Sequence, residues 1–319
     1  MSERTAQITP RCASRSGEEP VVLAVVGPTA SGKTTLAVEL AQRFGAEIVN
    51  ADSRQVYRGL DIGSAKPGPG DRQRVPHHML DVLDPDEPFD CAQFERLARQ
   101  AMADIHRRGR RVLVVGGTGL YVRVLRGGLF RGPSRDPALR AELAQKEAAA
   151  PGSLHAELAR VDPQAAARLH PNDQVRLIRA LEVFRITGVP ISQWQARHRF
   201  GSGSFPIVLL GVEVPRAELR QRIARRCEQM VAQGLVEEVR SLYARGFSPW
   251  LPALQSLGYR EIGAYVRGEL DLDTAVAKMI RATCQFAKRQ RTWFRREPVQ
   301  QWLPPELDAF VQVAARYWA

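Results

Sequence analysis

The sequence predicts an α/β protein: a P-loop-type parallel sheet core with a helical insertion and a helical C-terminal region. Three observations carry that expectation. A β-branched run, Val21–Val26, leads through a glycine loop into a helical pattern. Short, continuously apolar runs then alternate with helical segments, as strands covered on both faces of a parallel sheet do. The alternation stops near Arg131 and resumes near Ile207.

Taken in order, residues 1–20 are polar and lack the apolar stretch of a secretory signal, so they read as a disordered tail. Val21–Val26 is the first strand, and Lys33–Phe44 the first helix. Glu47–Asn50 is a second strand, ending in Ala51-Asp52-Ser53. Over 92–108, Phe94, Leu97, Ala98, Ala101 and Ile105 recur at helical spacing. Arg111–Val115 is another buried strand, closed by Gly116-Gly117. Between 131 and 205 only helices and turns are legible. Leu139–Ala149 is rich in Ala, Glu, Leu and Lys; Val175–Ile186 sets Leu177, Ile178, Leu181 and Phe184 on one face, with Arg176, Arg179 and Arg185 off it. Gly201–Ser204 reads as a flexible link, Ile207–Val214 as a returning strand, and 216–296 as mostly helical. The expected organisation is a core of 21–130 and 206–319, interrupted by a helical insertion over 131–205.

Composition bounds the function. No apolar run approaches the ~20 residues that span a bilayer, so no membrane segment is expected. Four cysteines lie far apart without C-x-x-C spacing, which argues against a zinc site and suits the reducing cytoplasm. Cys227 and Cys284 fall in helical patterns and read as packing residues. The formal charge of +12 favours an anionic partner such as nucleic acid.

Gly27-Pro28-Thr29-Ala30-Ser31-Gly32-Lys33-Thr34 fits G-x-x-x-x-G-K-[ST], placed between a strand and a helix as a phosphate loop must be. Its backbone N–H groups and the helix N-terminus suit a phosphate. Lys33 would hold outer phosphate oxygens, and the Thr34 hydroxyl would hold Mg2+. A nucleotide hydrolase usually adds an acidic residue at the end of a later strand. The best later strand ends instead in Gly116-Gly117-Thr118-Gly119, which weakens an ATPase reading. Asp52, at the carboxyl end of the second strand, should share the phosphate crevice with Thr118. It could be a general base, hold a metal through water, or cap a following helix. Thr118 could equally be an N-cap.

Several strings together resemble one family, the tRNA dimethylallyltransferases, or isopentenyl-diphosphate:tRNA transferases. They are GPTASGKT at Gly27–Thr34, DSRQVY at Asp52–Tyr57, DIGSAKP at Asp61–Pro67, GGTGLY at Gly116–Tyr121, HPNDQVRLIRALEV at His170–Val183, SLGYR at Ser256–Arg260 and AKRQRTWF at Ala287–Phe294. The zinc-finger extension of eukaryotic members is absent, so the bacterial form is expected. The resemblance implies transfer of a dimethylallyl group from dimethylallyl diphosphate to N6 of an adenosine adjacent to the anticodon, with release of diphosphate. It implies Asp52 as the base, Thr118 as the group that positions the amine, and Arg226 as the arginine that grips the diphosphate. It also implies tRNA contacts from Asp52, Ser53, Arg54, Gln55, Thr118 and Arg140. Others would come from Val175, Arg176, Leu177, Ile178 and Arg179, where many members carry Gln-Arg-Leu against Val175-Arg176-Leu177. Gln255, Ser256, Leu257, Gly258, Tyr259 and Arg260 would add contacts, as would Lys288, Arg289, Gln290, Arg291, Thr292, Trp293, Phe294 and Arg295. The expected partners are the tRNA anticodon stem-loop, dimethylallyl diphosphate and Mg2+, with no membrane, for a cytoplasmic monomer.

The residues themselves leave two points open. Residues 278–296 hold seven cations and no acidic residue, with Phe286, Ala287, Trp293 and Phe294 as an apolar stripe. That is either an RNA face or a solvated one. Tyr259 is either a stacking ring or core. Two other activities compete: a small-molecule kinase using ATP, and a non-enzymatic RNA-binding switch. Neither accounts for DSRQVY together with the basic helix.

Overall fold

A computed structural model describes residues 20–130, 132–197 and 205–318. The expected tail over 1–19 and the link at Gly201–Ser204 lie outside the described residues. The chain divides into two compact units, Met1–Arg126 with Gly203–Ala319, and Gly127–Ser202.

In the first unit the strands are β1 (Val22–Val26), β2 (Ala46–Ala51), β3 (His77–His78), β4 (Arg111–Gly116), β5 (Ile207–Val212) and β6 (Val299–Leu303). They pair in parallel in the order β3-β2-β4-β1-β5-β6. Alternate side chains of each central strand enter opposite cores. Leu23, Val25, Leu113, Val115, Leu210 and Val212 pack with helices Lys33–Phe44, Arg216–Ala232 and Leu307–Trp318. Val22, Ala24, Val26, Val112 and Val114 pack against Phe94, Ala98, Met102 and Ile105 of helix Cys91–Arg107, and against Phe294. Burial on both faces explains why these strands are unbroken apolar runs. Cys227 is buried in the first core and Cys284 packs against it half-buried, consistent with packing roles.

Two strands were not expected from the sequence. β3 is two residues of edge strand, and β6 is an edge strand whose Gln300 and Gln301 face solvent, so neither makes an apolar run. The returning strand ends at Val212 rather than Val214.

The second unit is helical: Pro137–Ala149, Ser153–Val161, Pro163–Ala166, Gln174–Thr187 and Ile191–Arg197. Leu143, Leu154, Leu158, Leu177 and Leu181 form its core. No helix among the described residues is long and apolar enough to cross a membrane.

Candidate active site

Three adjacent strands end together. Val26 and Ala51 both pair with Gly116, so Gly27, Asp52 and Gly117 leave the sheet side by side at its carboxyl edge. In an open α/β sheet that edge is where ligands bind. After β1 the chain enters the phosphate loop, with Ala30 at φ 62° and Gly32 at φ 89°. A left-handed alanine is strained backbone, held by its surroundings. Lys33 Nζ donates to the Pro28 carbonyl at 2.8 Å, folding the side chain back over the loop. The Ser31 hydroxyl is fully buried and has no partner among the described residues. The Thr34 hydroxyl stands in the first turn of the helix that follows.

The loop is electropositive. Desolvation, and then the nearby charge of Arg226, push the Lys33 ammonium down to about 8, against the pull of Asp52. Burial likewise lowers Arg226, again opposed by Asp52. The three side chains therefore feel one another's charge. Arg226 has no acidic partner among the described residues, so its guanidinium stays available to an anion. Arg222, one turn away, is committed to Glu218 at 2.6 Å.

Asp52 caps a turn rather than a helix. One of its oxygens, Oδ1, accepts from Arg54 N at 2.8 Å and Gln55 N at 3.4 Å, while Oδ2 accepts no hydrogen bond among the described residues. Thr118 is tied to the same turn. Its N–H donates to Ala51 O at 3.2 Å, and its Oγ1 accepts from Ser53 N at 3.0 Å. The Thr118 carbonyl, not the hydroxyl, receives the first bonds of helix Gly119–Gly127. The crevice inferred for Asp52 and Thr118 from strand order is thus a hydrogen-bonded unit.

Gln290 joins this unit to the phosphate loop. Thr29 N donates to its Oε1 at 2.8 Å, and its Nε2 donates to Gly117 O at 2.9 Å. The helix approaches the strand end so closely that a Cβ on Gly117 would lie 2.2 Å from Gln290 Nε2, and one on Gly119 would lie 2.2 Å from the Trp293 ring. Gln290→Leu leaves the buried Gly117 carbonyl unpaired and is expected to cost about 1–3 kcal/mol. Gln290→Glu keeps the acceptor for Thr29 but sets a second acceptor against the Gly117 carbonyl and buries a charge, so it should cost at least as much. Urea unfolding of the two variants checks this.

Several expected RNA contacts are corrected by burial. Gln290 is such a strut, and Phe294 is in the core at 0% exposure. Tyr259 is core as well, its hydroxyl donating to Glu238 at 2.6 Å, so no base can stack on it. Ser256 and Gly258 are buried beside it. Gln55 is buried, accepting from Asn50 and donating to the Ser64 and Ala65 carbonyls. In the second unit Leu177 is core, whereas Arg140 and Arg179 are only half-buried and both grip Glu182, which holds that carboxyl down to about 2.

The others stay accessible in varying degree. Ser53, Gln255, Leu257 and Ile178 are half-buried, and Arg54 reaches Pro252 O at 3.2 Å. Arg176 pairs with Asp173, and Val175 is 75% exposed. Arg260 pairs with Glu261. Arg291 and Arg295 share Glu213, whereas Lys288 and Arg289 have no acidic partner among the described residues. Thr292 bonds its own helix, and Trp293 lies under Arg123 at 4.3 Å. Sequence reasoning missed Lys66 of DIGSAKP. Its buried ammonium bonds Tyr57 O, Asp61 and Asp81, bracing the loop behind Asp52.

A strand-end phosphate loop facing an acid and a hydroxyl defines a P-loop-type transferase site. The IPP transferase family model matches residues 55–297, and the isopentenyl transferase model residues 20–81. The chain is 51% identical to the tRNA dimethylallyltransferase of Geobacter metallireducens, over 94% of this chain and 99% of that protein. It is similar to the crystal structure of the full-length tRNA isopentenylpyrophosphate transferase of Bacillus halodurans, with TM-score 0.69, 38% identity and coverage of 94% and 97%. A eukaryotic dimethylallyltransferase acting on tRNA gives TM-score 0.77 at 28% identity, covering 93% of this chain and 77% of that one. The chain belongs to the IPP transferase family, that of the tRNA dimethylallyltransferases.

Proposed function

We propose that the protein transfers a dimethylallyl group from dimethylallyl diphosphate to N6 of an adenosine adjacent to the anticodon of tRNA, releasing diphosphate. The observation that carries this reading is the bridge from phosphate loop to Asp52 and Thr118 at adjoining strand ends. The loop N–H groups, Lys33 and Arg226 hold the diphosphate. As the allylic C–O bond breaks, its electron pair passes to that leaving group, whose growing charge these donors stabilise. The adenine amine is a weak nucleophile and must lose a proton as its new N–C bond forms. Asp52 Oδ2 takes that proton. The Thr118 hydroxyl, anchored by Ser53 N–H, still has a proton and a lone pair with which to orient the amine.

The residues fit Mg2+. The Thr34 hydroxyl is a hard oxygen donor at the loop, and no group of three or more His, Cys, Asp or Glu could hold a metal among the described residues. The Thr34 hydroxyl would hold Mg2+ beside the loop, and the ion would supply charge neutralisation to the departing diphosphate. The target base leaves its stack to reach Asp52, at a cost of a few kcal/mol. The enzyme works as a cytoplasmic monomer.

The RNA face includes Lys288 and Arg289. Replacing both with Ala should lower the salt slope of tRNA binding by about two units, roughly one per lost phosphate contact. Adding Arg295→Ala should change it less, because Glu213 already engages that guanidinium. Equilibrium binding across a salt series checks both. Incubation with unmodified tRNA and labelled dimethylallyl diphosphate tests the function itself. Label should enter RNA without ATP; phosphorylation of a small acceptor by ATP, with no label in RNA, would instead support the kinase.

A further inference from the structure

A groove lies between helices Tyr259–Val266 and Leu272–Phe294, apart from the chemistry above. Arg260, Lys278, Arg281 and Gln285 line a cavity of about 310 Å³. Its floor is apolar, from Ala264, Leu270 and Ala282. The one carboxylate on its wall, Glu261, is spent: it accepts from Gly258 N and from Arg260. Lys278 and Arg281 have no acidic partner among the described residues. The groove thus presents uncompensated positive charge, and natural surfaces usually mix signs.

The cations are arranged as a track, not as a cup. Lys278, Arg281, Gln285, Lys288 and Thr292 are all exposed and spaced by three or four residues, so they form one stripe along the helix. The buried side of that helix carries Gln290 to the phosphate loop and Gly117. At 1.5 Å per residue, the Lys278–Arg281 end lies roughly 14–18 Å along the helix axis from Gln290, on the opposite, exposed side. A stacked strand advances roughly 3.4 Å per nucleotide, so that end meets phosphates at least about four to five nucleotides from the reacting adenosine. From an adenosine adjacent to the anticodon, that distance reaches the paired stem. A free phosphate or nucleotide would call for convergent donors, such as a nest of backbone N–H groups. The groove offers spaced side chains instead.

We propose that this groove holds the phosphodiester backbone of the anticodon stem, with Lys278 and Arg281 as its main contacts. The proposal rests on the tRNA prenyl-transfer reading above. It is tested with two RNAs, an unmodified tRNA and a hairpin with the same loop on a stem cut to two base pairs. Wild-type protein binds the tRNA more tightly than the hairpin. For Lys278→Ala/Arg281→Ala, tRNA affinity should fall on the order of tenfold at near-physiological salt, and the salt slope by about two units. The preference for tRNA over the hairpin should shrink by the same factor. The charge-conserving pair Lys278→Arg/Arg281→Lys should restore both. Equal weakening on the two RNAs, or an unaltered slope, would overturn the proposal. Wild-type protein that prenylates neither RNA would overturn the functional reading instead, and that is seen before any variant is made.

Discussion

Asp52→Asn is expected to slow prenyl transfer by about 10²–10⁴-fold, the usual loss when a general base is removed. The variant separates the roles of the two carboxylate oxygens. Oδ1 holds the turn through Arg54 and Gln55, and an asparagine carbonyl accepts those bonds equally well. The second oxygen has no partner among the described residues and becomes an amide nitrogen that cannot take a proton. Thermal melting should therefore hardly change, and both substrates should bind nearly as before, since the lost interaction belongs to the transition state. Single-turnover transfer at saturating tRNA, measured beside a melting curve, checks this. A wild-type rate would reduce Asp52 to a turn cap.

Lys33→Ala should cost about 10²–10³ in transfer rate, the magnitude found when one fixed donor to developing negative charge is removed. Its electrostatics add a pH signature. Lys33 sits at about 8 in the protein, below the ordinary 10.5. Between those values the unfolded chain binds more protons than the folded one, so this group's contribution to stability rises with pH across that window. The cost of its buried charge is fully present below about 8. A bound diphosphate favours the ammonium, so donor affinity should fall as pH rises through 8, with proton uptake on binding. Calorimetric titration of dimethylallyl diphosphate between pH 7 and 9 measures both. Lys33→Ala should remove the pH dependence along with the affinity.

The central strands and the helix Lys33–Phe44 were legible because two-sided burial and the phosphate loop leave strong local patterns. β3 and β6 were not, since short or half-solvated edge strands leave none. The juxtaposition of Asp52 with Thr118 follows from strand order alone, and in the structure Thr118 bonds the residues on either side of Asp52, Ala51 and Ser53. Burial inside polar strings was the harder part. Gln290 stands between Arg289 and Arg291 and reads as an RNA contact, yet it shares a helical face with Ala287 and Phe294, both buried. That three- and four-residue spacing was the available signal. Gln55 and Tyr259 gave no comparable sign, because their partners, Ser64 and Glu238, are brought close only by the fold.

In the proposed reaction a donor diphosphate on the phosphate loop and an adenine amine at Asp52 react directly. The most direct measurement is nucleoside analysis of unmodified tRNA after reaction, by digestion and mass spectrometry, with diphosphate and ATP quantified in the same tube. The expected outcome is a dimethylallyl group on N6 of the adenosine adjacent to the anticodon, one diphosphate released per group transferred, and ATP unconsumed. Unmodified adenosine with ATP turned over, or prenylation without release of diphosphate, would contradict it.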